Sequence, residues 1–399
     1  MTEQKTRVKE PLVRLVRREL DNRWVRWAIR GGSVVIALLL SCLFVYVISG
    51  MTMSQTVSEL WNGAIGQGKG VPIRLGQTVL RTTQLLCVAV ALAPAFKMKF
   101  WNIGAEGQVL VGATAAALFM DMFAQMPGEA GMPAPVIYVV MILGSILAGA
   151  AWGVIPAVFK AKWGTNETLF TLMMNYAATQ LTLASVEVLK HGHNALGTFG
   201  GYGAGWMPKI GRYTYAIPVI VFLVLTVLMY FYMAKTKHGY EIAVVGESQN
   251  TARYAGINVK WVIIRTMLIS GAICGLCGGL LVMGDTHTLN DTIGRGYGFT
   301  AIIVAWLAKF NPIAMIAVAF LVVFLENGTT AIGDSLTGAE RGSAFSDGGD
   351  RILIGIVLFC ILACEFFINY KLVFRKDSGI ARLISRVSAI GSRGKGKEE

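Results

Sequence analysis

Apolar stretches long enough to cross a lipid bilayer recur along this chain of 399 residues. A helix needs about 20 mostly apolar residues to span the hydrocarbon core, where only helices and closed barrels satisfy every backbone polar group. Charged residues make up 15% of the chain, whereas soluble domains carry about 25%. The sequence therefore predicts an all-α polytopic membrane protein with about ten transmembrane helices, of which the eighth is short enough to be a half-helix or a re-entrant segment. The predicted spans are 33–49, 75–96, 102–123, 136–158, 166–188, 215–234, 262–283, 298–308, 313–333 and 351–373.

The net charge of +13 is concentrated at the two ends of the chain. Residues 1–30 hold nine Lys and Arg against four acids, and residues 371–399 hold eight against three. Both segments flank apolar spans, so the positive-inside rule predicts cytoplasmic termini and explains the charge without nucleic acid. We expect a basic N-terminal segment (1–32), a transmembrane domain (33–374) and a basic C-terminal tail (375–399).

The connection 235–261 is the longest loop between spans on the predicted cytoplasmic side. Glu247 to Ala255 lacks Gly and Pro, and Gly246 and Gly256 stand on either side as helix punctuation would. The segment is therefore predicted to form one short helix along the cytoplasmic face. Ala252 and Ala255 are expected to give this helix a face of small residues.

A polar run, WNIGAEGQ from Trp101 to Gln108, interrupts apolar sequence at or near membrane depth. A carboxylate there costs several kcal/mol unless it faces a partner or a water-filled cavity, so Glu106 is a functional candidate by default. Asn102 is predicted to cap the helix that follows. Gln108 would lie one or two turns into that helix.

Other polar and aromatic side chains also lie at span edges or within spans. Thr171, Asn175 and Thr179 follow one another at intervals of four and share one stripe of a helix. Such residues can serve a purely structural role by forming hydrogen bonds between helices. Together they also suit a path for a polar solute, because amides and carboxylates bind hydroxyls and base edges while aromatic rings offer stacking faces. The predicted path residues are Asn102, Glu106, Gln108, Asn166, Glu167, Asn175, Tyr297 and Phe299.

Catalytic and metal-binding motifs are not recognisable in the sequence. Gly63 to Gly70 (GAIGQGKG) matches part of a phosphate-binding loop, but Gly70 replaces the Ser or Thr that ligates magnesium. Cys274 and Cys277 lie among small apolar residues and are read as packing residues. We therefore expect no catalytic residue, no metal and no cofactor bound by this chain.

Four motifs in order, NIGAEGQ, TNETLFTLMMNY, GESQNTARYAGI and GRGYGFTAIIVAWL, carry a family resemblance. The chain resembles bacterial ABC-importer permeases of the branched-chain amino acid/ribose-type superfamily, in the nucleoside-uptake branch, over about residues 75–370. The resemblance implies a type II importer-like fold in the bacterial cell membrane and the import of nucleosides. Thr251, Trp306 and Ala308 depart from what relatives often have, and the bulk of Trp306 puts the substrate in doubt more than the fold.

The resemblance also implies partners. Such permeases pair with ATPase subunits that consume ATP, with a second homologous permease, as a heterodimer, and with an extracellular substrate-binding lipoprotein. The inner-loop helix would dock on the ATPase. The residues expected to couple are Gly246, Glu247, Asn250, Ala252, Arg253, Tyr254, Ala255 and Gly256.

Alternatives remain open at this point. A permease of the same superfamily could carry sugars or branched-chain amino acids. A secondary transporter driven by an ion gradient would need no ATPase partner. A membrane enzyme would need convergent acids or a metal set at one face, which the sequence does not present.

Overall fold

The computed structural model of the protein describes residues 13–17, 23–125, 133–202, 204–211, 213–336 and 349–374. In this part the chain is mostly helical, with one two-stranded ribbon. The elements are β1 (Val13–Arg17), α1 (Arg23–Ser49), α2 (Met53–Ala64), α3 (Val71–Lys97), α4 (Ala105–Ala124), α5 (Ala134–Trp163), α6 (Glu167–Leu189), α7 (Ala216–Lys235), α8 (Lys237–Glu247), α9 (Gln249–Tyr254), α10 (Val259–Leu281), α11 (Tyr297–Leu307), α12 (Pro312–Leu336), α13 (Gly349–Asn369) and β2 (Tyr370–Phe374).

Each predicted span coincides with a helix, and seven of the described helices are long and apolar enough to cross a membrane. These are α1, α3, α4, α5, α7, α10 with the π-helical turn Val282–Thr286 that follows it, and α12. Helix α6 has the length but carries a polar stripe, and α11 and the apolar part of α13 are shorter. The protein is thus a polytopic helical membrane protein. The short α11 has the length expected of a half-helix.

The described chain forms two compact units. The larger runs from Leu60 to Gly328, and its centre is formed by α4, α5 and α10, which pack against one another. Helix α6 packs on α4, while α3 contacts α10, α11 and α7. The central helices are rich in Ala and Gly, which lets their backbones approach closely as in other membrane bundles.

Glycines form the crossing of α5 and α10. A Cβ on Gly275 would lie 2.8 Å from the Cα of Gly149 and would also meet the Ser145 carbonyl oxygen. A Cβ on Gly153 would lie 2.9 Å from the Met267 carbonyl oxygen. The glycine spacings at 149/153, 271/275 and 275/279 predict such a close approach, and the structure confirms it.

In the smaller unit, which joins the residues before Leu60 to those after Gly328, α1 packs against α13. Strands β1 and β2 pair antiparallel, with Val13 opposite Phe374 and Arg17 opposite Tyr370. The apolar part of α1, Gly31–Ile48, confirms the predicted span 33–49, and the helix itself begins ten residues before position 33, at Arg23. The predicted limit of the last span was wrong. The last helix ends at Asn369, and the chain up to Phe374 pairs as a strand.

Candidate functional site

The polar run WNIGAEGQ forms the connection between α3 and α4 and the first turn of α4. The prediction that Asn102 caps α4 was wrong, because α4 begins at Ala105 and its N-cap position is Gly104, which has no side-chain cap. Asn102 is completely buried, and its Oδ1 accepts a hydrogen bond from the Gly104 N–H at 3.1 Å. Its amide also lies 3.4 Å from Gln108 and from Ser270 of α10. The side chain thus ties the start of α4 to α10.

The polar stripe of α6 packs against the same connection. Asn175 is buried, accepts a hydrogen bond from the Gly107 N–H at 2.9 Å and donates one to the Ile103 carbonyl at 2.9 Å. Thr171 accepts a hydrogen bond from the Ile103 N–H at 3.1 Å. A Cβ on Gly107 would lie 2.9 Å from the Asn175 Oδ1. Because Gly107 has no side chain, the polar face of α6 approaches the start of α4 closely enough to hydrogen-bond with its backbone.

Glu106, in the first turn of α4, faces the N-terminus of α11. Its Oε1 accepts a hydrogen bond from the Gly296 N–H at 2.9 Å, and its Oε2 accepts one from the Gly298 N–H at 2.7 Å. The first N–H groups of a helix have no partner within the helix, and the positive end of the helix dipole favours an anion. Glu106 therefore caps α11 from outside that helix.

The two aromatic candidates of α11 have different surroundings. Tyr297 is buried, and its hydroxyl donates to the Glu326 carboxylate of α12 at 3.0 Å. Phe299 is 45% exposed. Only Phe299 of this pair therefore presents its ring at the surface of the chain.

A charged residue that sequence reasoning missed lies next to these contacts. Arg81, ten residues into α3, contacts the Asn327 Oδ1, and Asn327 donates to the Thr78 hydroxyl at 2.8 Å. The signal was available in the sequence, because a cation inside an apolar span is a functional candidate by the rule that singles out Glu106.

Asn166 and Glu167 lie at one end of the larger unit, at the turn between α5 and α6. Asn166 caps α6, accepting from the Leu169 N–H at 3.2 Å, and Glu167 pairs with Lys160 at 2.7 Å. Helix α5 ends here at Gly164, which adopts the left-handed conformation (φ 67°) typical of such a glycine. Their side chains make these contacts outside the buried cluster around Asn102, but the Glu167 carbonyl accepts a hydrogen bond from the Thr171 hydroxyl at 2.8 Å.

This end of the larger unit also carries α8 and α9 and is called the α9 end below. Its apolar core joins residues from the end of α3 (Ala95, Met98), α5 (Ala157), α8 (Ile242, Val245), α9 (Ala252) and α10 (Val259, Val262, Met267). The Arg265 guanidinium adds an ion pair to Glu241 of α8 at 3.0 Å, with both side chains largely buried. The short helices thus rest on a packed base formed by several long helices.

The prediction of one helix over 247–255 was wrong. Glu247 ends α8, and Ser248 is extended and caps α9 by accepting from the Thr251 N–H at 3.2 Å. A serine side chain competes for backbone donors and favours such a cap over a helix interior. The chain therefore turns at Ser248, and α9 contains six residues.

The faces of α9 also differ from the expected arrangement. Ala252 is completely buried whereas Ala255 is exposed, so these two residues do not share a face. Tyr254 is 93% exposed, and Arg253 beside it is exposed as well. Gly256 (φ 74°) ends the helix in the left-handed conformation, and the Ile257 N–H bonds to the Ala252 carbonyl at 2.9 Å. This geometry holds an aromatic and a cationic side chain at the surface of a fixed turn.

The remaining residues predicted to couple have separate positions. A Cβ on Gly246 would meet the Lys97 carbonyl oxygen at the end of α3, so this glycine lets α8 pack against α3. Glu247, Asn250 and Gly256 are exposed.

At the α9 end, Trp101 and Trp306 stack with ring centroids 5.4 Å apart and an interplanar angle of 21°. Phe96 and Phe310 contact this pair edge-on. At the opposite end, which is reached by the last turns of α10, Trp206 stacks on His287 at 4.2 Å, and the Met207 N–H bonds to the Met283 carbonyl. Stacked aromatic pairs therefore lie at both ends of the larger unit.

Known proteins provide the remaining observation. Residues 75–362 match the family model described as "Branched-chain amino acid transport system / permease component". The chain is 30% identical over 353 residues to the guanosine ABC transporter permease protein of Bacillus subtilis, covering 87% of this chain and 96% of that one. It is 25% identical over 348 residues to the nucleoside ABC transporter permease protein of Lactococcus lactis subsp. cremoris, covering 84% and 89%. It is 26% identical over 322 residues to the glucose ABC transporter permease protein of Haloferax volcanii, covering 74% and 78%. No solved structure is significantly similar to the chain.

Proposed function

This chain belongs to the branched-chain amino acid transport system permease family, and we propose that it is the permease subunit of an ABC importer that carries nucleosides. It is an integral membrane transport subunit and not an enzyme. The observation that carries the nucleoside assignment is the similarity, over most of both chains, to permeases for guanosine and for nucleosides. The glucose permease among the relatives makes sugar the second candidate solute.

Uptake measurements test this assignment. Cells that lack this chain should lose uptake of labelled guanosine and other nucleosides, and the wild-type chain should restore it. Uptake of glucose and of leucine, measured in the same cells, serves as the control. Loss of glucose uptake with unchanged nucleoside uptake would favour the second candidate. Nucleoside uptake abolished by a protonophore at constant ATP would instead indicate an ion-coupled transporter.

The proposed topology has ten spans with both termini in the cytoplasm. The α9 end then faces the cytoplasm and the Trp206 end faces outward. The basic terminal segments support this orientation. The division into a basic segment (1–32), a transmembrane domain (33–374) and a basic tail (375–399) stays a prediction.

We infer that the solute passes beside α4, α6 and α11. The contacts of Asn102, Glu106, Gln108, Asn175 and Tyr297 support this path because they concentrate polar groups at the starts of α4 and α11. Polar groups placed within spans commonly mark solute pathways. Phe299 would offer a stacking face for a nucleobase. Asn166 and Glu167 would lie at the cytoplasmic end of the path.

We further infer that α9 docks on a separate ATPase subunit, which hydrolyses the ATP. The fixed, exposed pair Arg253 and Tyr254 supports this docking, since Arg and Tyr are enriched among residues that anchor protein interfaces. The other proposed partners are a second homologous permease, forming a heterodimer, and an extracellular substrate-binding lipoprotein. This chain is proposed to bind no cofactor and no metal.

A further inference from the structure

Three side chains from three different helices hold the segment that begins α11. Gln84 of α3 donates to the Ile293 carbonyl at 3.3 Å. Glu106 of α4 accepts from the Gly296 and Gly298 N–H groups. Glu326 of α12 accepts from the Tyr297 hydroxyl. The start of this short helix is therefore fixed to α3, α4 and α12 by polar contacts.

The Glu106 contact consists of two hydrogen bonds from backbone N–H groups to one carboxylate. A carboxylate that accepts backbone N–H bonds forms charge-assisted hydrogen bonds, roughly twice as strong as neutral ones. One of its bonds comes from Gly298, within the first turn of α11, where the N–H has no partner inside the helix. The contact therefore satisfies a buried donor and places a negative charge at the positive end of the helix dipole.

Glycines make this contact possible. A Cβ on Gly294 would meet the Glu106 carboxylate, and a Cβ on Gly298 would meet the Glu106 backbone, lying 2.8 Å from its Cα. A larger residue at Gly298 would separate α11 from the first turn of α4, and one at Gly294 would displace the Glu106 carboxylate. The glycines in the sequence GRGYGF at the start of α11 thus leave the space that Glu106 occupies.

Helix α11 also carries the exposed aromatic side chains of this region. Phe299 and Trp306 are seven residues apart, which is two helical turns, and both are exposed. A shift or rotation of α11 would move both rings together. The Glu106 carboxylate lies against the backbone at the start of α11 instead, and each of its oxygens already accepts a hydrogen bond from a backbone N–H group.

The geometry points to Glu106 as a positioning residue: it fixes half-helix α11, and with it Phe299 and Trp306, in the transport path, and does not bind the solute. The expected effect on solute uptake rests on the proposed function. The contact itself can be measured without any solute.

The test replaces Glu106 with Gln in the full chain, assembled with its partner subunits in membranes. The Gln side chain keeps one accepting oxygen, but its NH2 group cannot accept a hydrogen bond, so one of the two backbone donors loses its partner and faces another donor. Amide hydrogen exchange over residues 293–300 should become at least tenfold faster. The maximal rate of guanosine uptake should fall at least tenfold, with KM changed less than twofold, because ground-state binding is retained.

Glu187→Gln is the matched control, since Glu187 is an exposed acid of α6 that pairs with Lys190 three residues away. This variant should change neither exchange over 293–300 nor uptake. If Glu106→Gln does not accumulate in membranes, Gln84→Leu removes the neighbouring contact without removing a charge, and it should show the same pattern to a smaller degree.

Two results would overturn the inference. A rise of tenfold or more in KM with an unchanged maximal rate would make Glu106 a solute ligand. Unchanged hydrogen exchange would mean that the carboxylate does not hold α11. If the wild-type complex moved no nucleoside, the proposed function would fail, while the exchange measurement would still decide the role of Glu106.

Discussion

Tyr254 and Ala252 stand two residues apart on α9 and have opposite surroundings. Tyr254 is 93% exposed, whereas Ala252 is completely buried in the core of the α9 end. An aromatic side chain in water on a fixed helix contributes little to the stability of its own chain but is well suited to fill a pocket on a partner.

We expect Tyr254→Ala to lower ATP-driven nucleoside uptake at least tenfold while the complex continues to hydrolyse ATP. The reason is that the substitution removes a proposed docking contact and no internal one. The melting temperature of the purified permease should change by less than 1 °C, since surface substitutions usually stay within about 0.5 kcal/mol. Uptake and ATP hydrolysis in proteoliposomes measure the effect.

Tyr202→Ala provides the comparison, because Tyr202 is also largely exposed but lies in the loop near Trp206, at the opposite end of the unit. Its effect on the ratio of uptake to hydrolysis should be small. Normal coupling in Tyr254→Ala would refute the docking role of α9.

At this scale, sequence reasoning found several of the residues but few of their contacts. Glu106 and Asn175 stand out because polar groups within spans are costly. Their partners could not be found in the same way, since Glu106 bonds to backbone groups about 190 residues away along the chain. Backbone N–H groups leave no mark in a sequence. Arg81, in contrast, carries the same signal as Glu106 and was missed.

At the scale of elements, the close approach of α5 and α10 determines how the larger unit packs. The two helices meet through Gly149, Gly271 and Gly275, where any Cβ would contact backbone atoms of the facing helix. Backbone cannot move aside as a flexible side chain can, so the helices themselves would have to separate.

We predict that Gly275→Ala destabilises the protein by about 1–3 kcal/mol, the usual cost of overpacking a well-packed core. The measurement is the thermal stability of the protein purified in detergent or nanodiscs. Gly355→Ala is the matched control: Gly355 also lies in an apolar helix, and a Cβ built there meets nothing within 4 Å. Equal melting temperatures for the two variants would contradict this account of the crossing.

The long helices were predictable because their apolar runs are dictated by the bilayer. Elements outside that constraint were not. Helix α2 has no long apolar run, and the break at Ser248 depends on one cap hydrogen bond. The strand pairing of Val13–Arg17 with Tyr370–Phe374 joins segments from opposite ends of the sequence, and neither segment alternates strictly enough to indicate a strand.

At the scale of the whole molecule, the proposed orientation places the loop before α7 outside and α9 inside. Positions suited to a label exist at both ends. A Cβ on Gly197 would meet nothing within 4 Å, and Ala255 is exposed. Among the native cysteines five are buried and Cys360 is partly exposed. The unsubstituted protein therefore measures the background labelling of native cysteines.

We expect a membrane-impermeant maleimide to label Gly197→Cys in intact cells. Ala255→Cys should be labelled only after the cells are permeabilised, because the α9 end would face the cytoplasm. The ratio of labelling before and after permeabilisation is the measurement. Labelling of Ala255→Cys in intact cells would reverse the orientation and remove α9 from reach of a cytoplasmic ATPase.

The ribbon of β1 and β2 brings the first and the last described residues of the chain side by side. Val13 lies opposite Phe374, at the open end of an antiparallel pair, where strands are only about 5 Å apart. A tight turn that joins these two positions in place of residues 1–12 and 375–399 would close the chain, and new termini opened in an exposed connection such as the one around Gly197 would give a circular permutant. The order in which the helices leave the ribosome would change. Helices α1 and α13, which are the first and the last described helices in the natural order, would then be synthesised one directly after the other.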